Sequence, residues 1–210
     1  MTSVANGIRV AIDGPSGSGK SSVSKKVAAH LGIGYLDTGA MYRALTWYCL
    51  DRGTDPSAPS ISMGGTRIDT DIRTTRIAEV VSKVATNLQV RPKLQQRQRE
   101  LMAQIAADQG GVVAEGRDIT TVVAPDADVR ILMVASEAAR LARRSKELHG
   151  GADDAAIAAT RTQIVDRDKA DSTVSSFMSA ADGVVTLDTS DLTFQQSVEA
   201  VLTLVERARG

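Results

Sequence analysis

The chain has 210 residues, enough for one domain with a substantial core and room for small inserted lobes. Its 25 basic and 25 acidic residues cancel, which excludes a net field drawing it to nucleic acid or to a membrane surface. No apolar run reaches the length of a membrane span, the lone Cys49 excludes an intramolecular disulfide, and residues 1–9 lack the basic-then-apolar pattern of a signal peptide, so a cytoplasmic protein is expected.

The first apolar run, around residues 10–12, predicts a buried strand. Directly after it come Gly14, Pro15, Ser16, Gly17, Ser18, Gly19, Lys20 and Ser21, which fill every fixed position of the pattern G-x-x-x-x-G-K-[ST]. Glycines let such a loop curl so that its N–H groups point at phosphate oxygens, and the helix predicted over 21–31 adds the positive end of its dipole. Residues 14–22, with Ser22 closing the loop, are the candidate ATP-binding set. Lys20 is suited to the β- and γ-phosphates, and Ser21 to Mg²⁺ held together with them.

A second strand is predicted at 35–36, followed by a helix over 40–51 that ends before Gly53. Thr38 is placed to cap that helix. Arg43, one turn inside, reads either as a solvated arginine or as a grip on a second phosphate group. Residues 55–73 hold Pro56, Pro59, Gly64 and Gly65. They read as an inserted lobe, with a small hairpin at 61–69. Helices are predicted over 74–89 and 92–109, the second with Pro92 at its first position and Gly110 as its stop.

The third strand, at 112–114, leads into Glu115, Gly116, Arg117 and Asp118. Charged residues directly after a buried strand fall where ligands bind in parallel sheets. Arg117 is suited to bridge two substrates and Asp118 to accept a hydrogen bond from an amino group. A fourth strand at 129–134 precedes a helix over 137–148 that carries Arg140, Arg143 and Arg144. These arginines read either as a solvated basic face or as cations that close over a transferred phosphoryl group, with residues 145–153 as a mobile flap. A helix over 154–168 brings Arg167 and, just beyond, Asp171. Their i, i+4 spacing fits a surface ion pair or a paired donor and acceptor for a sugar. A strand at 184–187 and a helix over 193–209, opened by a capping box of Thr193 and Gln196, complete the chain. Strands alternating with helices predict an α/β fold: three layers around a parallel sheet, of the P-loop NTPase kind.

Several segments together resemble the bacterial cytidylate kinases, within the nucleoside monophosphate kinase family. They are Ala11 to Lys20, Leu36 to Arg43, Glu115 to Asp118 with 122–127 beyond it, Arg167–Asp168 with Asp171–Ser172, and Asp188 to Ser190. The resemblance implies a single kinase domain that transfers the γ-phosphoryl group of ATP to CMP or dCMP with Mg²⁺. Its core would span 1–52, 74–139 and 172–210, with a monophosphate-binding insert near 53–73 and a lid near 140–171. It implies Thr38 and Arg43 on the CMP phosphate side, and Ser82, Arg91 and Asp118 on the cytosine edge. Arg117 would lie between the substrates, with Arg167 and Asp171 at the sugar. Lys20, Arg117, Arg140 and Arg144 are the residues implied for phosphoryl transfer. A monomer is expected, with no nucleic-acid or membrane partner.

The chain departs from the family pattern in three places. The family follows Asp-Ser with one residue and then an arginine, whereas here Asp171–Ser172 runs into Thr173, Val174, Ser175, Ser176 and Phe177. The insert at 53–73 is short. Thr120 stands where glycine is common, and Ala124 where phenylalanine is common. A kinase of another small acceptor, such as UMP or shikimate, is the alternative reading. A guanine-nucleotide switch would need an Asn-Lys-x-Asp motif, which does not occur.

Overall fold

The computed structural model describes residues 7–51, 74–151 and 153–210. The lobe expected at 55–73 and its hairpin lie outside them. The elements in chain order are β1 (Ile8–Asp13), α1 (Lys20–Leu31), β2 (Gly34–Asp37), α2 (Thr38–Asp51), α3 (Thr75–Ala85) and α4 (Val90–Gln109). Next come β3 (Gly111–Gly116), a π-helical turn (Ile119–Val123), β4 (Val129–Val134), α5 (Glu137–His149), α6 (Asp154–Ser172), β5 (Val185–Asp188) and α7 (Phe194–Arg209).

All five strands pair in parallel, in the order β2-β3-β1-β4-β5. The central strands are continuous apolar runs because both of their faces are covered. On one face Val23 and Val27 of α1 and Val198, Val201 and Val205 of α7 pack on Val10, Ile12, Ile131 and Met133. On the other, Met102 and Ala106 of α4 and Ile119 and Val123 of the π-helical turn pack on Ala11, Val112 and Ala114. Burying each of the valine, isoleucine and methionine side chains stabilises the fold by roughly 1.5–3 kcal/mol. A third cluster joins Tyr42 and Leu45 of α2, Val81 and Val84 of α3, and Val90. Cys49 is a buried core residue, as expected.

The site is positioned by β1 and β3, which lie side by side with Asp13 opposite Gly116. The chain leaves β1 toward the α1 face and leaves β3 toward the opposite face. The carboxyl ends of two adjacent strands are thus left open at a topological switch point, where ligands bind in open α/β sheets.

Four boundaries differ from the sequence reading. Thr38 is the first residue of α2 rather than its cap; Asp37 caps it, its Oδ1 accepting from Ala40 N at 2.8 Å. Helix α3 stops at Ala85, because Asn87 Oδ1 accepts from Gln89 N and Val90 N at 2.9 and 3.2 Å and so starts α4 two residues before Pro92. Pro92 occupies the third position, where its missing N–H is still an orphan of the first turn. Helix α6 runs one turn past Asp168, to Ser172, which carries Asp171 in that last turn. Most of the flap expected at 145–153 is helix: α5 continues to His149, Gly150 closes it, and buried Ser145 donates to Gly151 O at 2.7 Å.

Candidate active site

The loop between β1 and α1 is shaped by close approaches. Gly17 has φ +77°, and a Cβ there would lie 2.6 Å from Arg140 O, so only glycine fits without strain. Gly19 precedes α1 with no side-chain cap, which leaves the helix amides open to an anion. Lys20 Nζ donates to Pro15 O at 3.2 Å, and burial pulls its pKa down, opposed by Glu115. Thr189 Oγ1 and Arg143 both donate to Ser18 O, which ties the loop to the end of β5.

Beside the loop stand the oxygen groups of Ser21, Glu115 and Asp37, with Tyr35 next to them. Ser21 Oγ donates to Glu115 Oε1 at 2.7 Å, and Tyr35 OH reaches the same oxygen at 3.4 Å. Burial, followed by the nearby Asp37 carboxylate, raises the Glu115 pKa, while Lys20 lowers it. A hydroxyl and two carboxylates are hard donors, and they fit Mg²⁺, which keeps most of its shell from water and phosphates. Asp37 also holds Arg43, with Nη2 2.8 Å from Oδ2. Thr38 Oγ1 donates to Glu115 O at 2.8 Å. It lies so close to Gly116 that a Cβ there would sit 2.4 Å from it.

Farther along the cleft, Arg117 is enclosed by acids. Its Nη2 lies 2.8 Å from Asp168 and its Nη1 2.9 Å from Asp171. Asp168 also accepts from Ser16 N at 3.2 Å and from Arg140. Arg167 Nε stands 3.6 Å from Asp171. Burial, then repulsion by Arg117, brings the Arg167 pKa down to about 10. At the far end Arg91 donates to Asp118 Oδ2 at 2.6 Å and Gln95 Nε2 to the same oxygen at 2.7 Å. Arg91 is itself held by Ala85 O at 2.8 Å.

Most of these groups line one cleft of about 850 Å³, a size suited to nucleotide-scale ligands; Asp168 and Gln95 stand behind its wall residues. Its walls include Ser16 to Ser22, Thr38, Arg43, Arg91, Arg117, Asp118, Arg144, Arg167 and Asp171, so most of the residues singled out in the sequence converge. Gly14 and Pro15 are not on the wall, although Pro15 O accepts from Lys20 Nζ. Ser82, on α3, is not on the wall, although Ala78 and Ala85 of the same helix are. Arg140, expected over the transferred group, is not there either. It is buried behind the loop, paired with Asp168 and donating to Ser16 O at 2.9 Å. Arg43 Nε, Arg117 Nη1, Arg167 Nε and Asp171 Oδ1 are buried without a hydrogen-bond partner among the described residues. Orphans of this kind are costly unless a ligand satisfies them.

Sequence reading quoted Glu115, Asp37 and Asp168 within its motifs but gave them no role of their own, and it did not single out Gln95. It also passed over Asp13, whose carboxylate accepts from Ile119 N, Thr120 N and Thr120 Oγ1 at 2.7–2.9 Å and so fixes the turn that follows Asp118. Asp37 and Glu115 sit at strand ends beside recognised motif residues, which is the one signal that could have marked them.

Comparison with known proteins bears on the same region. A family model described as Cytidylate kinase matches residues 10–61 and 54–207. A cytidylate kinase of Streptomyces avermitilis is 46% identical over 96% of this chain and 94% of its own. One of Cutibacterium acnes is 43% identical over 93% and 95%. A bifunctional pantoate ligase/cytidylate kinase of Synechocystis is 38% identical over 94% of this chain but only 42% of its own length. Among solved structures, a sugar kinase from a Janibacter species superposes with a TM-score of 0.51 at 15% identity, covering 95% of each chain, a likeness of fold alone. No helix among the described residues is long and apolar enough to cross a membrane.

Proposed function

The chain belongs to the cytidylate kinase family, and on that premise we propose how its cleft moves the γ-phosphoryl group of ATP to CMP or dCMP. ATP lies with its phosphates on residues 14–22, cradled by the loop amides and the N-terminus of α1, with Lys20 at the β- and γ-phosphates. Arg144 lines this half of the cleft and adds positive charge over the triphosphate. Ser21, with Glu115 and Asp37 beside it, is suited to hold Mg²⁺, which when bound supplies positive charge against the phosphate oxygens.

The acceptor lies opposite. Thr38 and Arg43 face its phosphate, Arg167 and Asp171 its sugar, and Arg91 and Asp118 its base. The observation that carries this reading is the convergence of Arg91 and Gln95 on one oxygen of Asp118. Two donors fix the orientation of that carboxyl group, and an acceptor-type group suits the exocyclic amino group of cytosine. Arg117, tied to both Asp168 and Asp171, stands between the two halves and meets the transferred group. The CMP phosphate is already an anion, so no base need remove a proton. Catalysis is positioning plus electrostatic stabilisation.

The helical hairpin of α5 and α6 is the lid in this reading, and the segment near 53–73 the monophosphate-binding insert. The protein works in the cytoplasm as a monomer. A coupled assay of ADP release with CMP, dCMP, UMP, AMP and shikimate tests the assignment. Turnover with CMP and dCMP far above the rest supports it, and equal or better turnover with another acceptor overturns it.

A further inference from the structure

Phe177 is fully buried, yet every other residue from 176 to 183 is exposed. A polar connector between α6 and β5 gives no reason of its own for such an anchor. What the ring covers supplies one: the Arg117 guanidinium lies over its face, 4.5 Å from the centroid. Two acids thus meet the guanidinium at its edge and one ring meets its face.

The geometry matters because a ring face attracts the cation while consuming none of its N–H donors. Arg117 Nη1 approaches Asp171 as an ion pair but makes no hydrogen bond, although it is buried and Arg117 lines the cleft. Residues 173–183 hold no arginine, so this stretch brings a ring to Arg117 and no second cation to repel it.

We propose that Phe177 is a positioning residue for phosphoryl transfer, fixing the plane of the Arg117 guanidinium where the residue borders the cleft, so that the cation meets the transferred group. The inference rests on the reading of Arg117 as the bridge between the two substrates. It assigns Phe177 an effect on kcat, since positioning at the reacting centre acts in the transition state.

The test replaces Phe177 with phenylalanines carrying one, two and three ring fluorines, which drain the negative ring face with little change of shape. The kcat with ATP and CMP is expected to fall stepwise, by about tenfold over the series, while KM for ATP stays within about twofold and the unfolding midpoint barely moves. Phe177→Leu is expected to lose at least as much. Arg117→Ala is measured beside them. Constant kcat across the fluorinated series, with Arg117→Ala strongly impaired, overturns the role of Phe177. Near-normal turnover by Arg117→Ala overturns instead the reading of Arg117 itself.

Discussion

Asp168, in the last turns of α6, pairs with Arg117 at 2.8 Å while it accepts a hydrogen bond from the backbone of Ser16 at 3.2 Å. One carboxylate therefore fixes the bridging arginine relative to the phosphate loop. It also neutralises Arg140 behind that loop.

Replacing Asp168 by alanine leaves two buried guanidiniums short of a counter-charge. Breaking buried pairs in this way costs about 3–5 kcal/mol. Asp168→Ala is expected to lose stability on that scale in denaturant unfolding. Asp168→Asn, which keeps the shape, should lose turnover more than stability.

Lys20 sits at the phosphate end, its amine buried and its proton affinity reduced mainly by that burial. Lys20→Ala should lower kcat by about 10²–10³-fold, the cost of removing one preorganised charge from a transition state. CMP binding measured at equilibrium should change little, because Lys20 faces the donor. A large loss of CMP affinity would contradict the division of the cleft into two halves.

Gly116 has no room for a side chain: an added Cβ would meet Thr38 Oγ1 at 2.4 Å and Ile119 Cδ1 at 2.9 Å. Gly116→Ala should destabilise the fold by about 1–3 kcal/mol through overpacking. It should also raise KM for CMP more than for ATP, since Thr38 is the group pushed aside. Steady-state kinetics in both substrates check the asymmetry.

Asp13 gives a pH signature. Burial raises its pKa from 3.8 to about 6, partly offset by the hydrogen bonds from Thr120 and Ile119. The folded state therefore holds this proton more tightly than the unfolded chain. The resulting stability is fully present below about 4 and is lost as pH rises through about 6. The unfolding free energy of the wild type should fall relative to Asp13→Asn by about 2–3 kcal/mol across that window and run parallel above it. Parallel curves throughout would show that Asp13 does not titrate there.

Much of this was legible in the sequence because it is local. The five strands are short apolar runs, and the phosphate loop is a contiguous pattern set by backbone geometry. What sequence reading missed depends on partners far along the chain. Asp13 is fixed by Thr120, more than a hundred residues away, and Arg140 is drawn from the cleft by Asp168 on another helix. In the sequence Phe177 only ends a stretch, 173–177, that lacks the family's arginine near Thr173; the packing alone shows its ring beneath Arg117. The Thr38 and Asp37 exchange is subtler, since both residues cap helices well and the one-residue choice turns on Thr38 reaching Glu115 O.

The central claim is that Asp118 reads the amino group of a cytosine. The most direct measurement is kcat/KM for CMP and for UMP in the wild type and in Asp118→Asn. Asn offers a donor where uracil presents a carbonyl, so the variant should lose about 10²-fold or more with CMP while its preference for CMP over UMP narrows sharply. An Asp118→Asn enzyme that keeps the wild-type ratio of CMP to UMP would contradict the account.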